Sequence, residues 1–179
     1  MTRINLIPPS LCTNKQLLAE YRELPRGINK VSRGKTYKNI PAKFTMGKGH
    51  ESFFGNKLWF LHKRHIAIRE ELKRRQAAFP HRFKGPYVID TTDAWNQCTH
   101  TQPYECKDWT PSKEDILVSI DRLIERQFGY KNPDRWGDTE IGVERIWSAW
   151  AQNMATSLGV HDEVLALVKK HYMEWQYAK

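Results

Sequence analysis

Long hydrophobic runs are missing from this sequence. No segment approaches the roughly 18 consecutive apolar residues that a membrane-spanning helix needs, and the opening stretch MTRINLIPPS lacks the apolar core of a signal peptide. These absences argue against a membrane-spanning or secreted protein. We therefore expect a cytoplasmic location, associated with the nucleoid or, in a eukaryotic or viral host, with the nucleus.

Cysteine is also scarce, with three residues at irregular spacing. Reduced thiols are the default for such a set in an intracellular chain. Cys98, His100 and Cys106 offer three conceivable metal ligands, but a fourth at a useful spacing is missing. We expect free thiols and neither a metal nor another cofactor.

Acidic residues are outnumbered, because 20 Asp and Glu stand against 29 Lys and Arg and give a formal net charge of +9. Such a balance attracts polyanions, of which nucleic acid is the leading candidate and an anionic membrane surface the second. The membrane is the weaker candidate, since the basic residues do not accompany a strongly apolar opposite face along a helix. DNA or RNA is thus the expected class of partner.

Apolar residues recur at helical spacing along most of the chain, so the fold class is predicted to be all-α. A capping box of Thr13 and Gln16 opens the first helix. Four of the predicted helices cover about 14–32, 54–78, 139–157 and 162–176. Another has its cap at Thr110 or Ser112 and ends at Gly129. A basic loop over 33–52 and an irregular insertion over about 79–109 lie between them. We expect a compact helical domain with three core helices over 1–132, carrying an additional helical extension over 133–179 packed on the same domain.

The stretch LLAEYRELPRG lies in the first predicted helix and contains an unusual group of charges. On a helix Arg22, Glu23 and Arg26 fall within an arc of about 100°, on the side away from the apolar positions. Taken alone, they are compatible with an exposed ion-pair cluster that contributes at most about 1 kcal/mol per pair. On the second helix His65 lies on the apolar side and is interpreted as a packing residue.

Three strings of the sequence resemble one known family. MTRINLIPPSLCTNKQLLAEYRELPRG is similar to the N-terminus of the phage-type pyrimidine dimer DNA glycosylases, the endonuclease V family, whose members begin Met-Thr-Arg-Ile-Asn-Leu and carry Ala-Glu-Tyr-Arg-Glu-Leu-Pro-Arg in the first helix. GKGHESFFGNKLWFLHKRHIAIREELKRR looks like the family's Gly-x-Gly-His-x-x-Phe-Phe segment and second helix. PSKEDILVSIDRLIER looks like its third helix. These strings cover 72 of the 179 residues.

The resemblance implies two catalytic residues. The nucleophile would be the α-amino group of Thr2, freed by removal of Met1, and the essential carboxylate would be Glu23. For Lys63 and Arg64 taken individually, a solvated helix face is the favoured interpretation, and a DNA contact is the alternative. The DNA-binding residues expected from the resemblance and from the basic helix faces are Arg3, Arg22, Arg26, His50, Lys63, Arg64, Arg122 and Arg126.

The implied activity is a DNA glycosylase with abasic-site lyase activity, acting as a monomer on double-stranded DNA that contains UV photoproducts. An α-amino group suits such chemistry, because its reference pKa of about 7.7 to 8.0 leaves a useful neutral fraction. Two alternatives stay open: an enzyme of the same chemistry acting on abasic sites or other damaged bases, and a basic DNA-binding protein without catalysis. The family's C-terminal aromatic cluster is not matched here, so the lesion-stacking residues are unassigned.

Overall fold

The computed structural model describes residues 4–83, 85–127 and 149–177. Within these ranges the regular structure is helical and no β-strand occurs, which confirms the all-α prediction. The chain divides into two compact units, Met1–Ser112 and Lys113–Lys179. The boundary near residue 132 that the sequence suggests lies outside the described residues.

The first unit is built on two long helices that pack against each other, with a third helix packing on both. A 3-10 turn, Phe54–Asn56, follows the short second helix, so the predicted 54–78 helix in fact begins at Leu58. The helices of this unit are α1, Asn14–Ser32; α2, His50–Phe53; α3, Leu58–Ala78; and α4, Thr92–Thr101.

Helix α1 begins at the predicted capping box. The Thr13 hydroxyl accepts a hydrogen bond from the backbone N–H of Gln16 at 3.3 Å, and the Gln16 side chain accepts one from the N–H of Thr13 at 2.8 Å. These bonds satisfy two N–H groups that the first helical turn leaves unpaired. The apolar side of α1 is buried, so both the start and the orientation of this helix confirm the prediction.

His65 of α3 is buried in the contact with α1. Its ring stacks on that of Tyr21 at a centroid distance of 5.2 Å and an interplanar angle of 8°. Burial, and secondarily the charge of Arg69, lowers the pKa of His65 to about 4, so the ring is neutral at physiological pH. The interpretation of His65 as a packing residue is confirmed. We expect the ring nitrogens of such a residue to be satisfied, but among the described residues neither has a hydrogen-bond partner.

The insertion over 79–109 is more ordered than the sequence suggests, because it contains α4 and a 3-10 turn at Pro103–Glu105. Cys98 of α4 is fully buried and its thiol donates to the backbone carbonyl of Ile28 in α1. The prediction of an irregular segment is therefore wrong. The polar sequence TDAWNQCTHT lacks the apolar periodicity that predicts a helix, since Cys98 is its one fully buried position.

The second unit consists of α5, Lys113–Gln127; α6, Ala149–Leu158; and α7, His161–Tyr177. Helix α7 packs on both α5 and α6. Gly159 has a left-handed φ of 64° and ends α6 at the predicted break. The first half of the predicted 139–157 helix lies outside the described residues. In the parts of the chain described, every helix is too short or too polar to cross a bilayer.

Candidate functional site

The exposed face of α1 brings the predicted charge cluster together. Arg26 Nη1 lies 3.0 Å from Glu23 Oε1, and the side chains are 63% and 20% exposed, respectively. Arg22 is exposed beside them, and Pro25 is buried on the opposite side. Glu23 is thus a carboxylate at the protein surface, flanked by guanidinium groups that an anionic ligand would meet first.

The cluster belongs to a longer row of positive charge, which we call the α1 stripe: Lys15, Arg22, Arg26 and Arg33. These residues follow each other at intervals of seven, four and seven positions. Helical geometry places them within an arc of about 60° and over a length of about 27 Å. All four are exposed, and within the described ranges only Arg26 has an ion-pair partner. A row of exposed positive charge of this kind attracts polyanions.

A buried ion pair joins α1 to α3 beneath this surface. Arg64 donates from Nε to Glu20 Oε1 at 2.9 Å and from Nη2 to Oε2 at 3.1 Å. Its Nη1 donates to the backbone carbonyl of Ile7 at 2.6 Å. The Glu20 carboxylate raises the pKa of Arg64 against the opposing effect of burial. Both charges are therefore satisfied inside the protein.

The same carboxylate holds the beginning of the chain. The backbone N–H of Asn5 donates to Glu20 Oε1 at 3.1 Å, and the Asn5 side-chain amide donates to Oε2 at 2.9 Å. One residue earlier, the N–H of Ile4 donates to Nε2 of the buried His50 at 3.3 Å. His50 Nδ1 lies 2.6 Å from the carbonyl oxygen of Thr45, which fixes the proton on Nδ1. We call Asn5, Glu20, His50 and Arg64 the N-terminal anchor.

Glu51 holds the basic loop that follows α1. Its Oε1 accepts from Lys30 at 2.7 Å, from Lys35 at 3.2 Å and from the Tyr37 hydroxyl at 2.7 Å. Lys30 first and then Tyr37 lower the pKa of Glu51 to about 2, so the carboxylate is charged throughout the physiological range. Tyr37 lies against Gly55, where a side chain would collide with its ring. The loop is therefore fixed to the helices on both sides.

Two of the predicted DNA-binding residues are buried, although the sequence predicts them at the surface. Arg64 is not on a solvated face: its guanidinium is buried in the N-terminal anchor, so it does not face a ligand at the surface. His50 is likewise buried and bonded to backbone groups. Lys63 is exposed and pairs with Asp108 at 2.5 Å. Thr2 and Arg3 lie outside the described residues.

The remaining predicted cations, Arg122 and Arg126, lie on α5 of the second unit. Arg122 pairs with Glu125, and Arg126 is exposed. Among the described residues no three His, Cys, Asp or Glu side chains are grouped as metal ligands.

The N-terminal anchor was not predicted, although the sequence contains a signal for it. Glu20 lies between Leu17 and Leu24, on the apolar side of α1. Arg64 lies between Leu61 and Ile68, on the apolar side of α3. Opposite charges on the buried sides of two helices indicate that the helices pack and that the charges pair, because an isolated buried charge is too costly.

Residues 1–84 match the model of a family described as pyrimidine dimer DNA glycosylase. The matched segment contains Glu23, the α1 stripe and the whole N-terminal anchor.

Proposed function

Because residues 1–84 belong to the pyrimidine dimer DNA glycosylase family, we propose that this chain excises cyclobutane pyrimidine dimers from double-stranded DNA and then cleaves the strand as an abasic-site lyase. In this reaction the α-amino nitrogen of Thr2 forms a bond to the anomeric carbon of the 5′ nucleotide of the dimer. The glycosidic bond to the base breaks, and loss of a proton from nitrogen gives an imine as the sugar ring opens. Removal of a 2′ proton then expels the 3′ phosphate by β-elimination.

The N-terminal anchor is the observation that carries this proposal. Thr2 precedes Asn5 by three residues, so at most about 10 Å of extended chain separates them. Glu20, which holds Asn5, lies one helical turn before Glu23, about 4.5 Å along the axis. The point of α1 to which Asn5 is bonded and the Glu23 carboxylate therefore lie on neighbouring turns of the same helix, and only a short length of chain leads from Asn5 to the Thr2 amine. Such fixed placement favours a reaction between groups that must meet at one carbon atom.

Glu23 suits the second role that the reaction requires. Breaking the glycosidic bond builds positive charge on the sugar, and a nearby carboxylate stabilises that charge. The side chain is partly exposed and held by Arg26, so it is accessible from the surface that DNA would occupy. We propose that Glu23 also assists removal of the 2′ proton.

The α1 stripe and the Glu51-bound loop would hold the DNA. Their cations neutralise phosphates without reading sequence, as expected for an enzyme that must search undamaged DNA. A dimer weakens stacking and so lowers the cost of distorting the duplex around the lesion. We also propose that the chain works as a monomer at the nucleoid or in the nucleus, where this substrate lies.

The test is to trap the imine with borohydride. Untagged protein is incubated with three duplexes, one carrying a cis-syn thymine dimer, one an abasic site and one no damage. We expect a covalent adduct on the dimer duplex, lost in Glu23→Gln and lost when a short N-terminal extension blocks the Thr2 amine. Glu70→Gln is the matched control, since Glu70 forms an exposed ion pair with Lys73 at the same spacing of three residues.

The other outcomes separate the alternatives. An adduct on the abasic duplex alone would identify a lyase with a different lesion range. Binding to all three duplexes without an adduct on any would identify a DNA-binding protein without this chemistry.

A further inference from the structure

An exposed apolar pair lies in the loop that leads into α4. Val88 is 72% exposed and Ile89 is 39% exposed. Single exposed apolar residues are ordinary on protein surfaces. This pair differs because two large apolar side chains follow each other in a loop whose flanking residues are firmly held.

The residues around the pair fix the loop to α1 and α3. Tyr87 is buried, and its ring meets that of Tyr21 edge-on at 5.6 Å. The backbone N–H of Ile89 donates to the Tyr21 hydroxyl at 2.7 Å. On the far side, Asp90 accepts a hydrogen bond from Arg69 at 2.8 Å. The apolar pair is thus presented to solvent on a rigid support.

The loop contacts α1, the helix that carries the α1 stripe, through Tyr21. Tyr21, which contacts both Tyr87 and Ile89, immediately precedes Arg22 in α1. A duplex lying on the α1 stripe would therefore have Val88 and Ile89 at its edge.

We propose that Val88 and Ile89 form an apolar wedge that packs against an unstacked base step of the bound duplex. The inference rests on the proposed function, because it requires DNA on the α1 stripe. An enzyme that reaches the anomeric carbon must open the stack, and apolar side chains between base steps hold such an opening. Binding to the opened duplex would remove the apolar surface of the pair from contact with water, and this favours the opened state.

The test compares Val88→Ser with Val88→Leu, which keeps the apolar surface. Because Val88 is largely exposed, neither change disturbs the fold. On an intact dimer duplex we expect single-turnover excision to fall about tenfold in Val88→Ser and to stay within about twofold in Val88→Leu. A 2-aminopurine beside the lesion should brighten on binding the wild type and Val88→Leu, and much less with Val88→Ser. Tyr104→Ser, at a residue 83% exposed, is the control for loss of exposed apolar surface.

A second substrate shows whether the wedge acts on stacking. A duplex with a one-nucleotide gap opposite the lesion is already unstacked, so Val88→Ser should excise from it at nearly the wild-type rate. Equal rates and equal brightening for Val88→Ser and wild type on the intact duplex would overturn the wedge, as would an equal loss on both substrates. If the wild type binds DNA without excising dimers, the proposed function fails while the 2-aminopurine signal still decides the wedge. If it binds no DNA, both fail.

Discussion

The Glu20 carboxylate has two partners that serve different purposes. Arg64 neutralises its charge, and Asn5 links it to the start of the chain. A buried ion pair is a poor device for stability alone, because well-packed apolar residues often do as well without the desolvation cost. What apolar residues cannot do is accept directed hydrogen bonds from a backbone. Orientation of the N-terminal segment is therefore the best physical reason for this pair.

Replacement of Asn5 with Ala tests that reason. The change removes the side-chain bond to Glu20 and leaves the Glu20–Arg64 pair intact, so we expect a loss of about 1–2 kcal/mol in the free energy of unfolding. Imine trapping on an abasic duplex should slow several-fold, while equilibrium DNA affinity stays unchanged because the α1 stripe is untouched. Asn96→Ala, on the exposed side of α4, is the control. A destabilised variant with an undiminished trapping rate would show that the anchor does not position the amine.

His65 should make the free energy of unfolding depend on pH. Its folded pKa of about 4 lies below the ordinary 6.5, so between these values the unfolded chain binds a proton that the folded protein does not. The contribution of this site is complete above pH 6.5 and is lost as the pH falls toward 4. From pH 7.5 to pH 5 the free energy of unfolding should drop by about 2 kcal/mol through His65 alone.

The measurement is urea unfolding of the wild type and of His65→Phe at both pH values. Phenylalanine keeps a ring against Tyr21 but does not titrate. His62, whose pKa burial also lowers, is present in both proteins and cancels in the comparison. Equal pH dependence in the two proteins would show that His65 is not the source.

At the scale of whole elements, local signals predicted α1 and its exposed cluster well. The capping box set the start of α1, and helical periodicity placed Arg22, Glu23 and Arg26 on one face. Helix α4 was missed because it is short and polar and is held by contacts with α1 rather than by its own pattern. The Glu20–Arg64 pair joins residues 44 positions apart. Its formation depends on which helices pack together, and the sequence of one helix alone does not contain that information.

The α1 stripe predicts a defined salt dependence. Arg22 has no ion-pair partner among the described residues, so its charge is fully available to a phosphate. Arg22→Gln should reduce the slope of log K against log salt by about 0.9 on undamaged duplex DNA. Arg74→Gln, which removes an exposed arginine paired with Glu71 on α3, is the control and should leave the slope nearly unchanged. The same slope in Arg22→Gln and wild type would remove Arg22 from the DNA interface.

At the scale of the whole molecule, the question is whether the arginines of α5 contact DNA, since Lys113–Lys179 contains 9 Lys and Arg against 11 Asp and Glu. The net charge of +9 would attract DNA whatever its distribution. The matched family segment ends at residue 84, so it does not include α5. The role of Arg122 and Arg126 therefore rests on the resemblance of PSKEDILVSIDRLIER to the family's third helix.

Arg126→Gln separates a specific phosphate contact from a general effect of charge. If α5 contacts the backbone, this variant should lower the salt slope by about 0.9, as Arg22→Gln does. Arg122→Gln should have a smaller effect, because Arg122 must first give up its bond to Glu125. Lys169→Gln removes an exposed cation from α7 of the same unit and tests net charge alone. Equal slopes for Arg126→Gln and Lys169→Gln would mean that DNA senses only the total charge of the molecule, and the phosphate-contact role of α5 would be wrong.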